Sequence, residues 1–232
     1  MAPPTTDPTA LSEIPLFQGV PARELERLAT LLHRRTFPAG TNVITAGEPG
    51  GGTYIILSGT AKVYVTHTDG TEVILAILGP GEIVGEMSVA DSLGRSASVL
   101  TLEESTLLWM DRKAFLSSME EVPAIARNLV GILSRRLRLA DTHTRSLAAL
   151  DVHGRVAAQI LAFAREYGEP LTGGDILIPL RLTQTELAGL VGASRVRVNQ
   201  ALGYYRKQGS ISLDKDGRLV VHDEESLARR AR

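Results

Sequence analysis

The sequence predicts an α+β chain in three parts: a small antiparallel β-sandwich or barrel, one long helix, and a compact helical module closed by a hairpin. Three observations carry that prediction. Between Thr36 and Met110, short Val/Ile/Leu/Tyr/Thr runs alternate with "PAG", "GEPGGG", "SG", "DG" and "GPG", turn signals at the spacing of a small all-β unit. From about Pro123 to Leu150, Ala126, Val130, Leu133, Leu137, Ala140, Thr144 and Leu147 recur in alternating steps of four and three residues, the period of a two-helix seam. Further on, Thr183 with Glu186, then Gly192, then Ser194 punctuate two short helices ahead of "ISLDKDGRLVV".

In chain order, "MAPPTTDPTA" reads as a disordered Pro/Thr tail, with neither the basic start nor the apolar run of a secretory signal. "PARELERLATLLHRR" has apolar residues at helical spacing and predicts a short helix. "TAKVYVTHTDGTEVILAIL" is the clearest hairpin, with Asp69-Gly70 at its turn. The loop "GEIVGEMSVADSLGRSASV" then sets Glu86 and Arg95 among Gly85, Ser96 and Ala97. Either the two charges pair with each other, or they jointly hold a ligand with a hydroxyl and a negative charge. A guanidinium matches phosphate geometry, an ionised carboxylate can only accept, and small neighbours let the backbone approach closely.

The long helix would span roughly 40 Å at 1.5 Å per residue, and its seam predicts packing against a second copy of the chain. After "LDVHGR" another amphipathic helix runs to about Tyr167, "GEPLTGGD" breaks it, and "ILIPLRL" leads onward.

In "LTQTELAGLVGASRVRVNQALGYYRKQGSISLDKDGRLVVHD", Thr183 and Glu186 form a capping box that starts a helix. Gly192 ends that helix and Ser194 caps the next. Leu187, Ala188, Val191, Ala193, Val198 and Ala201 fall where two crossing helices need apolar or small residues. Arg195, Arg197, Asn199 and Gln200 lie near the start of the second helix, where a recognition helix meets base edges. Arg reads guanine and Asn or Gln reads adenine. Thr183, Gln184, Ser194 and Val196 complete the candidate DNA-contacting set. With the Asp216-Gly217 hairpin the module reads as a winged helix; such a module can also dock proteins, but two arginines and two amides on the leading turns favour DNA.

Charge agrees. Residues 1–150 carry 13 Lys/Arg against 16 Asp/Glu, and residues 151–232 carry 12 against 10. Between 176 and 210, Arg181, Arg195, Arg197, Arg206 and Lys207 face Glu186 alone, the local basic patch of a nucleic-acid module. The absence of cysteine excludes disulfides, thiolate metal sites and cysteine-held iron–sulfur clusters. His33, His67, His143, His153 and His222 show no metal-ligand spacing, which also weakens a haem sensor. No G-x-S-x-G, P-loop or dinucleotide fingerprint occurs, so an enzyme is not expected. No apolar stretch has the length of a membrane span, and a cytoplasmic protein without membrane attachment is expected.

In order and spacing, "PLFQGVPARELERLA", "FPAGTNVITAGEPGGGTYIILSGTAKVYV", the Glu86–Arg95 loop, the long helix and "LTQTELAGLVGASRVRV" together resemble the cyclic AMP receptor protein / fumarate-nitrate regulator superfamily of bacterial transcription regulators. The resemblance covers nearly the whole chain. It implies a cyclic-nucleotide-binding jelly-roll barrel over residues 1–122, a dimerisation helix over 123–150 and a winged helix-turn-helix over 151–232. It implies that the loop is a phosphate-binding cassette built from Gly85, Glu86, Met87, Ser88, Arg95, Ser96 and Ala97. Glu86 would accept from the ribose 2′-hydroxyl, Arg95 would pair with the cyclic phosphate, Ser96 would donate through its hydroxyl, and backbone N–H groups near Gly85 and Ala97 would complete the cradle.

The implied effector is cyclic AMP, with cyclic GMP as second candidate. The implied partners are a pseudo-palindromic DNA operator, a second copy of the chain and RNA polymerase. A member with a degenerate, ligand-independent barrel is the competing expectation. Two departures from the family pattern stand out. Ala140 and Asp141 replace the Thr and Ser that contact adenine in the cyclic AMP receptor protein; Ala140 has no polar side chain, whereas Asp141 can accept from either purine. On the recognition helix the Arg-Glu-x-x-x-Arg pattern becomes Arg195, Val196 and Gln200, so Val196 meets a thymine methyl rather than a cytosine amino group.

Overall fold

The computed structural model describes residues 7–70, 72–91 and 93–231. The order of elements is α1 (Pro8–Leu11), α2 (Ala22–Leu31), β1 (His33–Phe37), β2 (Asn42–Ile44), β3 (Gly52–Ser58), β4 (Ala61–Thr66), β5 (Glu72–Leu78), β6 (Ile83–Val84), α3 (Glu86–Ala90), β7 (Ser98–Thr101), β8 (Ser105–Asp111), α4 (Arg112–Glu121) and α5 (Pro123–Ala149). There follow α6 (Val152–Tyr167), β9 (Glu169–Pro170), β10 (Ile176–Leu177), α7 (Gln184–Val191), α8 (Arg195–Lys207), β11 (Ile211–Leu213), β12 (Leu219–Val221) and α9 (Glu224–Arg230). Two compact units result. One comprises the chain up to Asp69 together with Leu75–Leu137; the other comprises Gly70–Ile74 and the chain from Arg138 onward.

The first unit contains two antiparallel sheets, ordered β1-β8-β3-β6 and β2-β7-β4-β5. Successive residues of a strand point to opposite faces, and in the first sheet both faces are buried. Ile55, Ile83 and Leu108 join Leu28, Phe115 and Ile125 of the flanking helices in one apolar cluster. Their neighbours Ile56, Val84 and Leu107 join Ile44, Ala61 and Val99 of the second sheet in another. Covering on both sides explains why "YIIL" and "LLWM" read as continuous apolar runs rather than alternations.

The strands begin earlier than the change of texture at Thr36. β1 pairs His33–Phe37 with Ser105–Trp109 although its first four side chains are exposed, so no hydrophobic period announces it. The N-terminal tail also differs from the disordered reading. Asp7 accepts a hydrogen bond from the Thr9 N–H at 2.9 Å, Pro8 supplies a favourable first helical residue, and Leu11 is wholly buried. Residues 1–6 of that tail lie outside the described residues.

In the second unit, α6 begins at Val152, inside "LDVHGR" rather than after it, because Asp151 caps it by accepting from the Gly154 N–H at 2.7 Å. The strands form one sheet ordered β11-β12-β10-β9. The β9–β10 pair and α9 went unforeseen. α9 nonetheless carries a local signature: Asp223 caps it, Glu224 and Glu225 open it, Arg229 and Arg230 close it, and Leu227 is fully buried. Acids at a helix start and bases at its end complement the helix dipole. Among the described residues no helix is long and apolar enough to cross a membrane, and no cluster of His, Cys, Asp or Glu is placed to hold a metal ion.

Candidate functional site

The strand β6 hands the chain to α3 through Gly85, which sits at φ +80° as the N-terminal cap. Glycine is required there twice over. The left-handed conformation penalises a side chain, and a Cβ would lie 2.3 Å from Arg95 Nη1. Arg95 fills that space. Its Nη1 donates to the Gly85 carbonyl at 2.7 Å and to Ser88 Oγ at 2.8 Å, and its Nη2 donates to the Gly52 carbonyl at 2.7 Å. Its backbone is fixed too, donating to the Glu48 carbonyl at 2.9 Å and accepting from Gly47 at 2.8 Å. Among the described residues Nε makes no hydrogen bond, so one edge of the fork is free to face an anion. Burial pulls the guanidinium below its usual pKa.

Glu86 is not paired with Arg95. It is almost fully buried, and its Oε1 accepts from Arg136 Nη1 at 2.9 Å. Arg136 projects from α5 and also donates through Nε to Glu82 Oε2 at 3.2 Å; its Nη2 reaches the same oxygen and the Ile83 carbonyl. Arg135 completes the group, donating to Glu82 Oε1 at 2.6 Å. Two buried carboxylates thus share two arginines of the long helix. Burial pushes the Glu86 pKa up; Arg136 opposes that most strongly, while the charge of Glu82 adds to it.

The arginine pair and Glu82 were absent from the sequence-derived candidates. The only signal was "RR" on a stretch of α5 turning from buried to exposed, facing an acid beside apolar Ile83.

The other candidates divide. Ser88 is buried and holds Arg95. Met87 and Ser96 are exposed neighbours, with Ser96 Oγ 3.9 Å from Met87 Sδ. Ala97 is half-buried in the turn before β7. Ala140 and Asp141 lie exposed on α5, in the second unit.

The helix pair predicted in the second unit is present. Thr183 and Glu186 make both bonds of the capping box at the start of α7. Gly192 ends α7 at φ +60°, and Ser194 caps α8. Leu187, Ala188, Val191, Val198 and Ala201 are buried between the helices, with Ala193 half-buried. On the other side Arg195, Val196, Arg197, Asn199 and Gln200 are exposed together, Val196 by 66%. Gln184, first residue of α7, donates from Nε2 to Asn199 Oδ1 at 3.1 Å. The wing is β11–β12, its turn closed by Asp214 Oδ1, which accepts from Asp216 and Arg218.

Comparison with known proteins supplies the context for both constellations. The family of cyclic nucleotide-binding domains matches residues 34–122, and that of Crp-like helix-turn-helix domains matches residues 154–230. The chain is 40% identical over 222 residues to the CRP-like cAMP-activated global transcriptional regulator of Mycobacterium tuberculosis, covering 96% of this chain and 98% of that protein. It is 35% identical over 199 residues to the cyclic AMP receptor protein of Thermus thermophilus, covering 86% and 88%. The structure of FixK2 from Bradyrhizobium japonicum shares the fold with a TM-score of 0.75 over 87% of this chain and 98% of that one, at 18% identity. The chain therefore belongs to the Crp/Fnr family of transcription regulators, DNA-binding proteins rather than enzymes.

Proposed function

We propose that the chain is a cytoplasmic homodimeric regulator whose affinity for a specific DNA operator is set by cyclic AMP bound in the N-terminal barrel. Residues 1–122 would form the effector domain, 123–150 the dimerisation helix and 151–232 the reading head. The observation that carries this reading is the anchoring of Arg95 on Gly85, Ser88 and Gly52 beside a buried Glu86. A fixed guanidinium suits a cyclic phosphate. A carboxylate paired with Arg136 can only accept, which suits a ribose hydroxyl. Ser88 positions Arg95, while Met87, Ser96 and Ala97 frame the rim. The relatives in Mycobacterium and Thermus, both named for cyclic AMP, support the choice of base.

Because Glu86 is also held by Arg136, a ligand hydroxyl that bonds Glu86 changes the load on an α5 side chain directly. This gives the effector a physical route to the long helix. Val130, Leu137 and Leu147 stand 63%, 64% and 42% exposed at seam positions of α5, an apolar stripe suited to the same stripe of a second copy. A two-fold dimer would present two copies of α8 to major grooves about 34 Å apart, and RNA polymerase would be the downstream partner. Asp141, exposed on α5, would discriminate the purine.

The test is calorimetric titration of nucleotide-stripped protein with cyclic AMP and then cyclic GMP, paired with operator binding in both states. Saturable binding of cyclic AMP, with DNA affinity raised by about 5- to 150-fold, is the expected result. No heat with either nucleotide, together with unchanged DNA binding, would leave the ligand-independent reading standing. Gly85→Ala is expected to weaken nucleotide binding at least tenfold in the same titration, because the new methyl would lie 2.3 Å from Arg95 Nη1 and displace it; the left-handed backbone separately costs the fold about 1–2 kcal/mol.

A further inference from the structure

We infer, resting on the nucleotide reading of the barrel, that Gly50 is a positioning residue: its missing side chain sets the width of the gap that Arg95 spans. It thereby places the guanidinium that meets the effector's anionic group. Gly50 lies in the loop between β2 and β3, and Ser88 lies within α3. The two approach so closely that a Cβ at Gly50 would stand 2.5 Å from Ser88 Oγ, 2.9 Å from Ser88 Cβ and 3.2 Å from the Ser88 carbonyl oxygen. Turning Ser88 to another rotamer relieves only the first of these, because its Cβ and carbonyl do not move. With a side chain at position 50, loop and helix must part.

Arg95 bridges the same two pieces. On the α3 side its Nη1 donates to Ser88 Oγ at 2.8 Å and to the carbonyl of Gly85, the helix cap, at 2.7 Å. On the loop side its Nη2 donates at 2.7 Å to the carbonyl of Gly52, two residues beyond Gly50. The Arg95 backbone exchanges hydrogen bonds with Gly47 and Glu48 of that loop as well. A guanidinium is a rigid planar fork. It cannot stretch across a wider gap, so it keeps one side and loses the other.

Position 50 therefore needs glycine for close approach and not for conformation. Its φ is not positive, and alanine meets no left-handed strain there. Gly51 supplies the control. It sits in the same loop, its φ is not positive either, and a Cβ there would meet nothing within 4 Å.

Isothermal titration of the full-length chain with cyclic AMP tests this on Gly50→Ala, Gly51→Ala, Ser88→Gly and the Gly50→Ala/Ser88→Gly double variant. Gly50→Ala should bind about tenfold more weakly than the parent, the effect of one charge-assisted hydrogen bond, while Gly51→Ala binds as the parent does. Ser88→Gly removes the hydroxyl and the Cβ that a methyl at position 50 would strike. On that background Gly50→Ala should change affinity by less than about twofold, the spread of independent sites. A general stiffening of the loop would not depend on residue 88.

Parent-like affinity in Gly50→Ala, an equal loss in Gly51→Ala, or a Gly50→Ala loss that persists in full on Ser88→Gly would each overturn the inference. Melting curves accompany every variant. Should Gly50→Ala not fold, the double variant decides: the affinity of Ser88→Gly upholds the contact, and no binding where Ser88→Gly binds overturns it. If the parent itself binds no cyclic AMP, the nucleotide reading fails instead, and that outcome is seen before any variant is compared.

Discussion

Arg95→Gln is expected to lower cyclic-nucleotide affinity by about 10- to 150-fold. Hydrogen bonds that involve a charged group contribute about 1.5–3 kcal/mol each, and every 1.4 kcal/mol is tenfold in affinity. The glutamine amide can still donate to one of the carbonyls that Arg95 now serves, Gly85 or Gly52, so most of the fold's stability is retained. Arg95→Lys should do little better, because a compact ammonium cannot span Gly85, Ser88 and Gly52 together. Isothermal titration of both variants measures the effect, with circular dichroism as the check on folding. Near-native affinity in Arg95→Gln would remove the guanidinium from the proposed effector site.

Arg136→Ala should have the largest effect on stability. Removing one partner of a buried ion pair typically costs about 3 kcal/mol or more, and a melting temperature about 6–12 °C lower follows for a chain of this size. Arg135 still serves Glu82 after the substitution, so the loss falls chiefly on Glu86. The deficit should depend on pH in a definite direction. Burial already holds the folded-state pKa of Glu86 above its unfolded value, and removing Arg136 raises it further. A carboxyl of that kind adds stability while protonated and loses it as pH rises through the folded pKa. The variant is therefore weakest at neutral pH and recovers toward the parent as the solution is acidified. Urea denaturation of both proteins at pH 7.5 and pH 5 measures this; a deficit equal at the two values would mean that Glu86 carries no strain from its ionisation. Glu86→Gln in the Arg136→Ala background should restore much of the loss.

What was legible in the sequence was local chemistry. The Thr183–Glu186 capping box, the Gly192 stop and the Ser194 cap each rest on contacts within a few residues, and all are present. Glu86 and Arg95 were found because glycine and small residues surround them, yet their actual partners were not foreseeable. Arg136 is 50 residues from Glu86 and 54 from Glu82, a pairing produced by the fold of α5 against β6 and not by any spacing. The Gln184–Asn199 contact was hidden for the same reason, although both residues were already candidates. β1 escaped because an exposed polar edge strand has no hydrophobic period, and its pairing with β8 decides its conformation.

The two-sided burial of β3 and β8 bears on how the proposed effector site keeps its shape. Ile55 and Ile56, like Leu107 and Leu108, are clamped between two apolar clusters, so their amides can reach solvent only when both clusters open at once. Exchange of those protons should track global unfolding rather than local fluctuation. Gly52, whose carbonyl holds Arg95, begins β3 and is paired with Asp111 at the end of β8. The guanidinium is thus tied to the end of a strand that is clamped on both faces. An anion arriving at Arg95 meets a receptor that has already surrendered its conformational entropy during folding.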